Sequence, residues 1–163
     1  MADLTFTNDA TERKAADLLT VGYGDAGNVK ALCVATIELA ASASGTTVRV
    51  GRIPSNARLL SQGVIYNDDL ATSGSPTLDI GLGSVDANIT NDPDAINNGI
   101  ALSSATTTTN VLADRANAGK RAWEFVSGQT TDPGGALDVY LTVKDAATTA
   151  TGTVTVELYG YFD

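Results

Sequence analysis

The sequence predicts an all-β chain folded as a jelly-roll-like sandwich, with an N-terminal arm over residues 1–30 and the β-domain over 31–163. Three observations carry this expectation. Aliphatic and polar residues alternate through several short segments, most cleanly near the C-terminus. Turn residues separate those segments at uneven intervals, and no βαβ alternation appears anywhere. Short alternating strands divided by turns belong to sandwiches and barrels, and the uneven connections favour the sandwich. One or two short helices are expected beside the strands.

The arm reads differently from the rest. Thr11–Leu19 has the signature of a short helix capped by Thr11, with Ala15, Leu18 and Leu19 on one side. It stops at the glycine-dense stretch Val21–Gly27. From Leu32 the period becomes two. Cys33, Ala35, Ile37 and Leu39 share one strand face, with Thr36 and Glu38 on the other. Small residues Ala40–Gly45 turn the chain into a second strand, Thr46–Ile53, where Val48 and Val50 face one way and Thr47 and Arg49 the other. Pro54-Ser55-Asn56 breaks it.

Arg58–Tyr66 is apolar on both faces and reads as one central, covered strand that Asn67-Asp68-Asp69 ends. Leu78, Ile80 and Leu82 form another alternating strand. Asp92-Pro93-Asp94-Ala95-Ile96 then has the signature of a helix start, with Asp92 as cap and Pro93 in the first helical position. Ser103–Asn110 is a Ser/Thr stretch, either exposed strand or loop. The last two strands are the strongest: Leu137, Val139, Leu141 and Val143 alternate without exception, as do Val154, Val156 and Leu158. The small residues Ala146–Gly152 between them have the length of a hairpin loop.

Composition narrows the function. Of 163 residues, 19 are acidic and 10 basic, a net charge of −9 that leaves little from which to build a phosphate-neutralising face. Direct nucleic-acid binding is therefore not expected. No apolar stretch approaches the roughly 20 residues that span a bilayer, so no membrane partner is expected either. Met1–Thr5 lacks the basic and apolar regions of a secretory signal, which predicts synthesis in a cytoplasm. The single cysteine, Cys33, sits in an apolar run and reads as a small buried hydrophobe.

The chemistry of catalysis is sparse. With no histidine and one cysteine, Ser-His-Asp and Cys-His catalysis and histidine or multi-cysteine metal sites fall away. A carboxylate pair for glycoside hydrolysis stays open, since pairing is spatial; of the four glutamates, Glu12, Glu38, Glu124 and Glu157, Glu38 and Glu157 fall on polar strand faces and read as solvated carboxylates. Gly81-Leu82-Gly83 lacks the third glycine and the helix of a nucleotide fingerprint and reads as strand-end turn glycines. Asp86, Asn88, Asp92 and Asp94 are hard oxygen donors in one short stretch and form a weak calcium candidate; their spacing is not that of an EF-hand, and turn and capping chemistry account for the same residues. No cofactor and no enzymatic activity are expected.

Several pieces of the chain resemble small virion proteins of tailed bacteriophages. They are Val50–Arg58, Asn67–Leu70, Ser75–Gly81, Asp92–Ile96 and the closing Gly152–Tyr161. The resemblance implies a β-sandwich located on the virion and made in a host bacterial cytoplasm. It further implies a capsid decoration or cement protein, often trimeric, bridging subunits of the major capsid protein. The arm holds few apolar groups to offset the entropy of ordering it, which makes Phe6 and Leu19 candidate anchors on a partner, with Arg13 and Lys14 pairing with acidic neighbours. The alternative is a tail, baseplate or head-fibre domain that recognises a host glycan or protein. Tyr23, Tyr66, Tyr140, Tyr159 or Trp123 would then supply a stacking platform.

Overall fold

A computed structural model describes residues 29–84 and 89–162. The expected arm helix and the contact candidates Phe6, Arg13, Lys14 and Leu19 lie outside the described residues, as do Asp86 and Asn88. In chain order the strands are β1 (Lys30–Ala40), β2 (Thr47–Pro54), β3 (Arg58–Leu59), β4 (Val64–Asn67), β5 (Thr77–Ser84), β6 (Asp92–Ala101), β7 (Thr106–Asn110), β8 (Ala136–Lys144) and β9 (Thr151–Tyr161). They form two antiparallel sheets. One has the order β1-β9-β4-β7, with β3 also on β9; the other has the order β2-β8-β5-β6.

Taking β3 and β4 as one interrupted strand, the first half of the chain runs antiparallel beside the second. β1 pairs with β9, β2 with β8, β4 with β7 and β5 with β6. A paired ribbon whose successive segments change sheet rolls up into the expected jelly-roll-like sandwich. The inner faces are the alternating aliphatics. Leu137, Val139, Leu141 and Val143 of β8 are buried, and Val154, Val156 and Leu158 of β9 are buried in the same core. Cys33, Ala35 and Leu39 of β1 join them, as the alternation predicts; a register shift between Ala31 and Cys33 brings Leu32 inward as well.

Three expectations are corrected. β8 and β9 are not a hairpin: they belong to different sheets and face each other across the core. Alternation reports which side of a strand is apolar, and both strands of a facing pair show it as well as a paired one. Residues 58–66 are two strands rather than one, since the chain turns between Leu60 and Gly63, whose amide reaches the Leu60 carbonyl. Residues 92–96 open β6 instead of a helix. Pairing with β5 overrides the capping signal, and the irregular register between Leu78↔Ile100, Ile80↔Asn97 and Leu82↔Asp92 accommodates Pro93. The helical turns that do form are 3₁₀ segments, Arg115–Asn117 and Ala122–Phe125. In the first, Asp114 Oδ1 accepts from Ala116 N at 2.8 Å; in the second, Glu124 Oε2 accepts from Arg121 N at 2.6 Å. Ser103–Asn110 resolves in favour of strand over Thr106–Asn110.

Gly160 shows how closely the elements approach. A Cβ there would overlap the Arg58 backbone and the Leu32 side chain, so only glycine lets β3 lie on β9 at this point. Two substitutions test the facing-sheet core. Leu141→Ala should cost about 2–5 kcal/mol in denaturant unfolding, because a buried leucine leaves a cavity. Val156→Asp should abolish the folded circular dichroism signature, because it buries a carboxylate with no partner. A soluble, normally melting Val156→Asp protein would contradict this packing.

Candidate interaction surfaces

Of the calcium candidates, Asp92 and Asp94 fall within the described residues. Asp92 begins β6, and its Oδ2 accepts from Ser127 N at 2.7 Å, which pins the segment after the second 3₁₀ turn to the sheet. Asp94 is exposed. Among the described residues no three His, Cys, Asp or Glu side chains converge to hold a metal. Cys33 is fully buried, with Sγ 3.7 Å from the Val50 carbonyl oxygen. Gly81 and Gly83 lie inside β5, not at a strand-end turn: a Cβ on the first would meet the Asp92–Pro93 backbone, and on the second Asn91 and Tyr140. No helix among the described residues is long and apolar enough to cross a membrane.

The outer face of the β2-β8-β5-β6 sheet is organised around Asp138. Its carboxylate is almost fully buried, and Oδ1 accepts from Arg52 Nε at 2.8 Å and from Arg49 Nη1 at 3.4 Å. Oδ2 accepts from the Tyr140 hydroxyl at 3.3 Å. Partial burial raises the Tyr140 pKa, the Asp138 charge and hydrogen bond raise it further, and the two arginines oppose the shift. Arg52 is mostly covered while the Arg49 side chain is 53% exposed, so the pair with Arg49 contributes little and its guanidinium remains available. Nearby, Asp79 is buried and accepts from Gly99 N at 2.9 Å, and the Thr47 and Thr142 hydroxyls lie 3.1 Å apart. This face carries arginine and tyrosine, the residue types enriched at interface centres.

The outer face of the β1-β9-β4-β7 sheet has another character. Strand register sets Thr36, Thr155 and Tyr66 in one row across β1, β9 and β4, and the two threonine hydroxyls are 2.8 Å apart. Glu157 Oε2 accepts from the Tyr159 hydroxyl at 2.8 Å, which raises the Tyr159 pKa by that bond first and by desolvation second. Asp68 Oδ2 accepts from Thr153 N at 2.7 Å and Thr153 Oγ1 at 2.9 Å, and these bonds lower its pKa. With Glu38 exposed as well, the face is acidic and rich in hydroxyls. Of the tyrosines expected as a platform, Tyr66 is exposed, Tyr140 and Tyr159 are half-buried, and Tyr23 lies outside the described residues. Trp123 is half-buried, and its indole nitrogen is buried without a partner among the described residues.

At one side β1 packs against β2 and closes the sandwich. The opposite side, between β6 and β7, carries a shallow groove of about 500 Å³ lined by Asn97, Asn98, Thr106, Thr109 and Asn110 among others. Asn97 Nδ2 bridges the sheets there, donating to the Asn110 and Val111 carbonyls at 3.0 and 2.9 Å.

No protein-family model and no curated protein sequence matches the chain. Solved structures do. A chain of the capsid asymmetric unit of cyanophage Pam1 is 24% identical, with 88% of this chain and 91% of that chain covered and a TM-score of 0.58. A chain from the capsid of Ralstonia phage GP4 is 21% identical, covering 88% of this chain and 90% of that one, with a TM-score of 0.61. At these identities the likeness establishes a shared fold.

The Asp138 cluster yields a measurable consequence. Asp138→Asn keeps the shape and removes the charge that Arg52 and Tyr140 share. It should destabilise the domain by about 1–3 kcal/mol, the lower part of the range for charged hydrogen bonds being favoured because Arg49 is half in water. The Tyr140 pKa should fall, since the Asp138 charge and hydrogen bond that raise it are removed. Tyrosine ring-carbon NMR over a high-pH titration reads this. An unmoved Tyr140 would assign its shift to burial alone.

Proposed function

We propose that this chain is a non-enzymatic virion structural protein of a bacteriophage, of the capsid decoration or cement type. It stabilises the head by bridging neighbouring subunits of the major capsid protein. The observation that carries the reading is that the fold, over 88% of the chain, is shared with chains of the Pam1 and GP4 capsid structures and accounts for about nine-tenths of each. Nearly the whole of this chain thus corresponds to nearly the whole of a capsid-borne one. In this reading the function is contact area, and the product is located on the virion without touching the nucleic acid.

Two surfaces serve the bridging. The face around Arg49, Arg52 and Tyr140 offers a partly exposed guanidinium on a rigid sheet, suited to acidic or carbonyl-rich capsid loops. The arm, residues 1–30, adds Phe6 and Leu19 as apolar anchors and Arg13 and Lys14 as cations. A trimer completes the proposal, because three copies around a local symmetry axis present the same face to equivalent subunits.

The test is a particle made without this gene product. Such heads should assemble but lose their contents at a lower temperature, and added protein should restore them at a copy number that scales with capsid subunits. Deleting residues 1–20 should leave the melting temperature of the isolated β-domain nearly unchanged while abolishing binding to those heads. Sedimentation of the isolated protein should give a trimer. A product confined to the tail, baseplate or fibres would overturn the capsid reading in favour of a host-recognition domain. Unfolding of the truncated protein would move the arm from attachment into the core.

A further inference from the structure

The acidic sheet face contains a feature that capsid bridging does not use. Where β4 meets β9 and β7, a shallow cleft of about 410 Å³ is lined by Tyr66, Asn67, Asp68, Thr106, Thr153 and Thr155. Its size falls within the roughly 300–1,000 Å³ of ligand sites. We propose that this cleft binds a neutral pyranose residue of an oligosaccharide. The inference rests on the side chains of the cleft and stands independently of the capsid assignment.

The polar groups are arranged as acceptors. Asp68 Oδ2 is held by Thr153, while Asp68 Oδ1 has no hydrogen bond among the described residues. Asn67 is 95% buried, by its 5% residual exposure, and spends both amide hydrogens on carbonyls, Asp68 O and Ser104 O, each at 2.9 Å. That fixes the strand end beneath the cleft: the Asn67 side chain lies on the inner side of β4 with Val154, while Tyr66 is on the outer side with Thr155. The oxygen of the exposed Asp68 carboxylate that Thr153 leaves free is the acceptor open to a donor from outside the chain. The Thr153 hydroxyl donates to Asp68, so toward a ligand its oxygen also serves as acceptor.

The ring of Tyr66 supplies the other half of the recognition. It is the exposed aromatic of the described residues, 38% accessible, and it sits on a strand that packing holds rigid. The negative face of an aromatic ring attracts the weakly positive C–H groups of one side of a pyranose, while the sugar hydroxyls donate at its edge. Acceptors beside an aromatic ring suit a molecule that is apolar on its faces and rich in hydroxyl donors at its rim. Asp68 with Glu38 and Glu157 on the same sheet face disfavours phosphates, uronic acids and sialic acids. A single carboxylate also falls short of what a hard divalent cation requires, which is about 6–8 oxygen ligands.

Saturation-transfer NMR on the full chain tests this with maltotriose, chitotriose and β-1,4-galactotriose as neutral probes and sialyllactose as the acidic control. At least one neutral trisaccharide should receive saturation, and sialyllactose should receive less. Tyr66→Ala should weaken the interaction by about tenfold, the size of an aromatic packing contribution, whereas Tyr66→Phe should retain it. Should Tyr66→Ala fail to fold, Asp68→Asn carries the test: its weaker bonds to Thr153 should lower the melting temperature while the domain stays folded by circular dichroism, and binding should fall several-fold. Transfer to none of the three neutral probes, equal transfer to sialyllactose, or binding indifferent to both Tyr66→Ala and Asp68→Asn would overturn the proposal. Attachment of Tyr66→Ala protein to heads should remain normal, which separates failure here from failure of the capsid reading.

Discussion

Strand β9 holds β1 along one edge and β3 and β4 along the other, while Val154, Val156 and Leu158 on its inner side close the core against the facing sheet. Nearly everything else is hung on that pairing. β1 and β9 lie at opposite ends of the described chain, so the first sheet can form only when its last strand is present. Loop closure on that scale costs entropy before any contact rewards it. The reward is the aliphatic interior, in which the inner faces of β8 and β9 meet. With a single, buried cysteine there is no internal disulfide to assist, so packing alone offsets the ordering of the chain.

Because stability resides in the interior, the two outer faces are free to differ. On the β2-β8 side, Asp138 draws Arg52, Arg49 and Tyr140 together into a network that satisfies a buried carboxylate. On the β9-β4 side, hydroxyl pairs and carboxylates take the outward positions. A sandwich with one arginine–tyrosine face and one acidic hydroxyl face is suited to attach by the first and present the second. That division of labour joins the two proposals: a rigid module on a particle surface, with a sugar-sized cleft on the side turned outward.

The cleft also explains why Asn67-Asp68 matters beyond ending a strand. Asp68 anchors the start of β9 through both the amide and the hydroxyl of Thr153, so the same carboxylate that fixes the sheet edge shapes the cleft wall. Asn67, one residue earlier, ties β4 to the approach of β7 through the Ser104 carbonyl. Structural and recognition roles overlap in Asp68 because the strand ends there, where backbone groups need side-chain partners.

The alternation of Leu137, Val139, Leu141, Val143, Val154, Val156 and Leu158 determined by itself that these residues are core, since period two leaves a single apolar side on each strand. Cys33, Ala35 and Leu39 follow the same rule. What alternation does not contain is the identity of the neighbour. β8 and β9 looked like a hairpin and are opposed across the core; Asp92–Ile96 had a helix's opening residues and became strand under pairing with β5; Arg58–Tyr66 had one strand's apolarity and turns in the middle. The functional surfaces belong wholly to this second kind. Arg52 meets Asp138 from 86 residues away and Thr153 meets Asp68 from 85. Local sequence decides which side of a strand avoids water, because burial depends on one residue and its period. Only the tertiary structure decides which distant polar groups share a face, because their hydrogen bonds exist only after the ribbon has rolled up.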